Sequence, residues 1–307
     1  MRPPPSAPSV SEEFIGRASC RHRNLVHRAA GPLAVLAVTC LLLTGCSSAA
    51  PRAEPVVHGP GIRRGVVYRT VGGLRLRLDA YLPAPAVSRR RAVLVVHSGG
   101  WVFGNRQTLA DEAQRLADDG FTAFAIDYRL APRHRYPAAI DDVRAALQFV
   151  RARAHQYEID PNRVGALGTS AGGHLVALLA TRPHHDGLTA VVSWSGPMDL
   201  TAAGQARTPK LRSYYAAFLG CAATRCAARA RAASPVWNIS RDPPPALLVN
   251  STDELVSLGD LTELADALRR AHGTVATIVL PGGFHAEQYV SAVWPQTVEF
   301  FADHLRA

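Results

Sequence analysis

Three side-chain types, at three separated places in a 307-residue chain, could together do nucleophilic chemistry. Ser170 lies in Gly168-Thr169-Ser170-Ala171-Gly172-Gly173, between the apolar run Val164-Gly165-Ala166-Leu167 and the periodic segment from His174 to Ala180. This pattern predicts a buried strand turning sharply into a helix. The serine sits at the apex, the glycines avoid clashes in the turn, and the helix N-terminus lies behind the hydroxyl. A serine hydroxyl is a poor nucleophile at neutral pH. It needs a histidine to take its proton and a carboxylate to hold that histidine in the right tautomer.

With a strand-turn-helix serine, the expected order along the chain is serine, acid, histidine. Ser251-Thr252-Asp253-Glu254 follows one predicted strand and Pro281-Gly282-Gly283-Phe284-His285 follows the next, so both loops fall at the C-terminal edge of the sheet. His285, behind two glycines, is the expected base. Asp253 is the expected acid because it is the earliest carboxylate after its strand, with Glu254 and Asp260 as local competitors and Asp199 as a distant one. His155, His184, His185, His272 and His304 fall at helix ends or in linkers and read as solvated.

The elements that must position these groups alternate. Val66 to Thr70 and Leu74 to Leu82 flank Gly72-Gly73 with apolar-polar alternation, which predicts an antiparallel hairpin. Ala92 to His97 is continuously apolar, as a central parallel strand is. Helices are predicted at Leu109 to Asp119, Ala138 to Arg153, after Ser170 to Arg182, at Asp260 to His272 and at Gln288 to Leu305. Strands are predicted at Thr122 to Asp127, Val164 to Leu167, Ala190 to Ser195, Ala246 to Asn250 and Thr274 to Leu280. Such alternation predicts an α/β fold with a mostly parallel, doubly wound sheet and antiparallel strands only at its beginning. A long interval, about 197–236, breaks the rhythm and reads as a small cap.

Composition narrows the setting. The chain carries 34 Lys+Arg against 24 Asp+Glu, and Lys210 is its only lysine. The arginines are scattered, with one run at Arg89-Arg90-Arg91 and no aromatic interleaving, so they read as a solvated surface and not as a nucleic-acid site. Arg17, Arg21, Arg23 and Arg28 precede an apolar run from Leu33 to Leu43 that is too short to span a membrane. Residues 1–45 therefore read as a secretory signal and 46–62 as a polar tether. Leu43-Thr44-Gly45-Cys46 resembles the lipobox of bacterial lipoproteins, which implies lipidation of Cys46 and anchorage on the extracytoplasmic face of the cell membrane. Ordinary signal cleavage and secretion is the alternative. Cys221 and Cys226 are the only cysteines left in the body, and their short spacing in an exported chain predicts a local disulfide.

The oxyanion of a tetrahedral intermediate needs donors, and His97-Ser98-Gly99-Gly100-Trp101 after the third strand can aim backbone N–H groups at the serine. That stretch, together with Asp127-Tyr128-Arg129-Leu130-Ala131-Pro132, Tyr136-Pro137-Ala138-Ala139-Ile140-Asp141-Asp142 and the Ser170 turn, resembles the α/β-hydrolase-fold esterases of the hormone-sensitive-lipase-like group. The resemblance runs from about Arg63 to the C-terminus, residues 63–307. It implies a carboxylic ester hydrolase for a small-molecule ester of short to medium acyl length, with Ser170, Asp253 and His285 as triad and Gly99, Gly100 and Ala171 lining the oxyanion hole. That chemistry needs no metal or organic cofactor.

The chain departs from the group in three ways: Ser98 stands where glycine is usual, the stretch before His97 is too short for a helical N-terminal cap, and the leader looks exported. The short N-terminal part makes it similar to feruloyl-esterase-like and kynurenine-formamidase-like relatives, so an amidase or peptidase is an alternative. A non-catalytic binding module keeping the fold is a further one. Trp101 and Phe284, with Tyr214, Tyr215 and Phe218 of the insertion, are candidate pocket walls. His97, Asp127, Arg129 and Asp141 are expected to order loops beneath the site, and His174 to pack.

Overall fold

The computed structural model describes residues 59–183, 185–201 and 208–306. The signal, Cys46 and most of the tether lie outside the described residues, as does His184. The chain runs β1 Gly61–Val71, β2 Leu74–Leu82, β3 Ala92–Val96, α1 Ala110–Asp118, β4 Thr122–Ile126, α2 Ala138–Ala152, β5 Val164–Thr169 and α3 Ala171–Thr181. It continues β6 Ala190–Trp194, α4 Pro209–Leu219, α5 Ala227–Ala232, β7 Ala246–Ser251, α6 Leu258–Arg270, β8 Val275–Leu280 and α7 Val290–His304.

Eight strands form one sheet in the order β1-β2-β4-β3-β5-β6-β7-β8. Pairing is antiparallel from β1 to β2 and from β2 to β4, and parallel everywhere else. This is the α/β-hydrolase fold. The first strand starts earlier than expected: Gly61 and Ile62, read as the end of the tether, already pair with Leu82 and Tyr81.

The central strands are apolar throughout because both faces are covered. Along β3, Ala92, Leu94 and Val96 enter one core with side chains of α2, α3 and α6, while Val93 and Val95 enter the other with α1 and α7. Side chains that alternate across a sheet flanked by helices on both sides have no solvent face to reserve for polar residues. All eleven residues of α3 are buried, and this helix, apolar on every side, starts directly behind Ser170.

Buried ion pairs lock the sheet edge beneath the site. The Asp142 carboxylate, fully buried, receives Arg129 Nε at 2.7 Å and Arg69 Nη1 at 2.7 Å, which ties α2 to the loop after β4 and to β1. The resemblance placed this role on Asp141; its neighbour Asp142 performs it, because Asp142 faces inward on α2. Arg106 binds Asp79 at 2.8 Å and Asp127 at 2.9 Å, fixing the end of the loop that begins at His97.

The interval between β6 and β7 contains α4 and α5, joined by a disulfide between Cys221 and Cys226. The main-chain N–H of Tyr136 donates to Phe218 O at 2.8 Å and its hydroxyl to Ala232 O at 2.6 Å, so this insertion is fastened to the loop before α2. Among the described residues no helix is long and apolar enough to cross a membrane.

Candidate active site

Ser170 occupies φ 50°, ψ −115°, between the last residue of β5 and the first of α3. A non-glycine residue holds such a conformation only when its surroundings over-determine it, at a cost of roughly 1–3 kcal/mol. Here the Ser170 N–H donates to Trp194 O at 2.7 Å and the Ser170 carbonyl accepts from His174 N at 2.9 Å. Close approach sets the glycine at the foot of the helix. A Cβ on Gly172 would collide with the carbonyl of Val96 at the end of β3.

Ser170 and His285 open onto one cavity of about 180 Å³, and Gly99, Gly100 and Ala171 form part of its wall. Gly99 and Gly100 adopt φ of 114° and 56°, and a Cβ on Gly100 would stand 2.7 Å from Tyr214 Cδ2 of α4. The N–H of Ala171 belongs to the first turn of α3, whose leading N–H groups have no intrahelical acceptor. Gly99, Gly100 and Ala171 thus share the wall of one cavity with Ser170.

The acid differs from the sequence expectation. His285 Nδ1 makes a short hydrogen bond to Glu254 Oε2, not to Asp253. Asp253 is exposed, and its Oδ2 accepts from the Thr252 hydroxyl at 2.9 Å. The cause is the path of the chain after β7. Thr252 N and Asp253 N bond to Leu280 O and Gly282 O, and the chain turns there before it bends at Glu254. In that turn Asp253 is left exposed, while Glu254 is buried and its Oε1 accepts from Ser251 N, the last residue of the strand.

Glu254 is well supported there. Its side chain is fully buried, and Oε1 accepts from Ser195 Oγ at 2.9 Å and Ser251 N at 2.8 Å. Ser195 Oγ in turn accepts from Ala286 N at 2.8 Å and lies 2.7 Å from the hydroxyl of Tyr289, whose pKa is raised by burial. The turn before His285 is pinned by Ser251 Oγ, which donates to Phe284 O at 2.7 Å. Ser195 and Tyr289 had no motif to mark them, and the burial of Glu254 in place of Asp253 depends on a turn after β7 that no sequence pattern marks.

The predicted pocket walls divide. Phe284 is 62% exposed and does not line the cavity, because its carbonyl is held while its ring turns to solvent. Trp101 lines the cavity, with its indole buried, stacked on Phe218 at 4.6 Å and donating from Nε1 to His174 Nδ1 at 3.2 Å. Phe218 and Tyr215 pack against it in the core, whereas Tyr214 reaches the cavity. Lys210, Leu211 and Leu255 join it there, and so does Glu287, whose Oε1 accepts from Thr169 Oγ1 at 2.6 Å.

His97 and His174 are structural. Burial pushes both down to about 4, so both are neutral at pH 7. His97 stacks on Tyr128 at 4.1 Å, with Nδ1 donating to Ser98 O. His174 donates from Nε2 to Ala233 O at 2.7 Å, which joins the helix behind Ser170 to the insertion. Among the described residues no group of His, Cys, Asp and Glu side chains gathers to hold a metal ion.

A sheet of this order, with a strained serine between β5 and α3 and a histidine beyond β8, defines a protein of the α/β-hydrolase class. Within that class the profile of the BD-FAE family matches residues 78–268, well over half of the chain, and the chain belongs to that family.

It is 30% identical to the esterase LipC of Mycobacterium tuberculosis over 223 residues, which cover 66% of this chain and 53% of LipC. It is 29% identical to the esterase LipQ of the same organism over 283 residues, 81% of this chain and 65% of LipQ. The chain thus spans about half the length of LipC. Among solved structures it resembles a truncated carbohydrate esterase from gut microbiota, with a TM-score of 0.70 and 22% identity, covering 82% of this chain and 99% of that one. It also resembles a thermophilic esterase from Thermogutta terrifontis, with a TM-score of 0.64 and 24% identity over 80% of this chain and 90% of that one.

Proposed function

We propose that this protein is a serine carboxylic ester hydrolase acting through an acyl-enzyme, with Ser170 as nucleophile, His285 as base and Glu254 as the carboxylate that orients it. The observation that carries this reading is the buried Glu254 bonded to His285, with His285 and Ser170 on the wall of a single cavity. Relatives named as esterases support it.

In the first half-reaction Ser170 Oγ attacks the ester carbonyl carbon while His285 Nε2 takes its proton. The carbonyl oxygen, now negative, accepts from the N–H groups of Gly99, Gly100 and Ala171. The tetrahedral intermediate collapses, the bond to the alcohol oxygen breaks, and that oxygen leaves with the proton from His285. Water then attacks the acyl carbon, giving its proton to His285, and Ser170 departs with that proton as the carboxylic acid is released. Glu254 accepts from Nδ1–H throughout, which keeps Nε2 free to take the proton and stabilises the imidazolium. A cavity of about 180 Å³ suits a short acyl group.

A fluorophosphonate probe should label the wild type and leave Ser170→Ala unlabelled, and p-nitrophenyl acetate should be turned over faster than its anilide counterpart. Equal labelling of both proteins would remove the nucleophile. The leader and the lipobox support a second part of the reading, lipidation of Cys46 and anchorage outside the cytoplasm. Replacing Cys46 with alanine should then release the protein from the membrane fraction; retention there refutes the anchor.

A further inference from the structure

The catalytic cavity is bordered by an exposed charge that the ester-hydrolysis steps do not use. Lys210 lines it, from the second position of α4, on the wall formed by the insertion. It is the only lysine of the chain, and the other 33 of its 34 Lys+Arg side chains are arginine. Its ammonium forms no ion pair with a carboxylate among the described residues. The first turn of α4 has no acidic residue, and a cation at a helix N-terminus is opposed by the helix dipole, so Lys210 does not serve the helix that carries it. Thr208 already caps that helix, accepting from Leu211 N at 3.2 Å.

The other insertion residues on that wall, Pro197, Leu211 and Tyr214, are apolar or aromatic, as are Phe103 and Leu255 on neighbouring loops. The cavity's other charged side chain, Glu287, stands on the turn after His285 and has one oxygen occupied by the Thr169 hydroxyl. Ester carbonyl and oxyanion donors belong to the sheet edge, whereas Lys210, an exposed residue, borders the cavity from the insertion. A substrate held by its carbonyl at Ser170 therefore presents its far end to an ammonium on a flexible stem. Such a point charge accepts an anion without demanding the planar geometry of a guanidinium.

We propose that Lys210 selects small esters carrying an anionic group, of carboxylate type, a few bonds from the scissile carbonyl. This rests on the ester-hydrolase reading above and narrows its substrate class. The anion can lie on the acyl side or the alcohol side of the ester, and the two are separable.

The test compares kcat/KM, at low ionic strength, within two pairs of substrates. Mono-p-nitrophenyl succinate against p-nitrophenyl butyrate places the charge on the acyl side, and 3-carboxyphenyl acetate against phenyl acetate places it on the alcohol side. The readout is the anionic-to-neutral ratio in wild type, Lys210→Met, Lys210→Arg and Lys210→Glu, so that a general loss of activity cancels. In one pair the ratio is expected to fall about tenfold from wild type to Lys210→Met, the size of one charge pair a few ångströms apart in a partly wet site. Lys210→Arg should retain most of it, and Lys210→Glu should lower it further, with the change in KM. Ratios equal within twofold in wild type and Lys210→Met for both pairs overturn the proposal while the hydrolase reading stands. No turnover of any ester by wild type, with Ser170 unlabelled by a fluorophosphonate, overturns both.

Discussion

Glu254 spends its two oxygens on different tasks: one holds the imidazole of His285, the other is held by Ser195 and Ser251. Glu254→Gln keeps the shape but turns an amide N–H₂ toward Nδ1 or breaks the other pair of bonds. The imidazole then favours the tautomer with its proton on Nε2, where it cannot take one from Ser170. A loss in kcat/KM of about 10³–10⁴-fold is expected, the size seen when a triad acid loses its charge but not its volume. Asp253→Asn, on an exposed side chain, should change kcat/KM by less than about threefold. Steady-state hydrolysis of p-nitrophenyl acetate by the two variants decides between the carboxylates, and the opposite ranking would restore Asp253. That Ser170 and His285 would come to one cavity was legible in the sequence because each sits in a local turn rich in glycine. The carboxylate bonded to His285 was not, because it depends on which of two neighbouring side chains the turn after β7 buries. Phe284 failed as a pocket wall for a related reason: nearness to His285 in the chain says nothing about the direction of a ring.

Elements were easier to read than side chains. Central strands announce themselves by unbroken apolar runs, and the helices after them by periodicity, because both faces of the sheet are covered. The ends of elements were less legible: α7 begins only after a short 3-10 turn, Ala286–Tyr289, and β1 starts inside the expected tether. The junction between β6 and the insertion carried no signal at all. There Asp260, on the first turn of α6, accepts through the same Oδ1 from Met198 N at 2.7 Å and Asp199 N at 3.1 Å. Burial raises its pKa from 3.8 to about 6, above its unfolded value, so the folded state binds more protons between those limits. Its contribution to stability is therefore greatest at low pH and is lost as pH rises through about 6, a difference on the order of 3 kcal/mol. Asp260→Asn keeps the Oδ1 acceptor and removes the charge. It is expected to be more stable than wild type by about 1–3 kcal/mol at pH 8 and to lose that advantage at pH 4. Thermal unfolding of both proteins at the two pH values measures this, and a variant less stable at pH 8 would show that the anion is needed at the junction.

At the scale of the whole molecule, sheet, insertion and the loop after β3 are joined through two neutral imidazoles. His174 donates to Ala233 O and accepts from Trp101 Nε1, and His97 stacks on Tyr128 while bonding Ser98 O. Protonation of His174 would bury a charge and remove the acceptor that Trp101 uses. Both pKa values fall from 6.5 to about 4 in the folded protein, below their unfolded values. The unfolded chain therefore takes up these protons first, and the stability that each site contributes is complete above about pH 6.5 and lost as pH falls toward 4, by roughly 3 kcal/mol per site. Asp260 moves the other way over much of the same range and offsets about one of the two losses. A net loss of about 3 kcal/mol is a large part of the 5–15 kcal/mol that holds an ordinary domain together. Urea midpoints at pH 7 and pH 4.5 should thus differ markedly for the wild type. Either single variant, His174→Gln or His97→Gln, starts from its own lower stability but should show a smaller difference between the two pH values. General charge repulsion in so basic a chain acts on all three proteins alike and drops out of that comparison. Equal differences in all three would mean that the acid sensitivity lies in carboxylates and not in these two histidines.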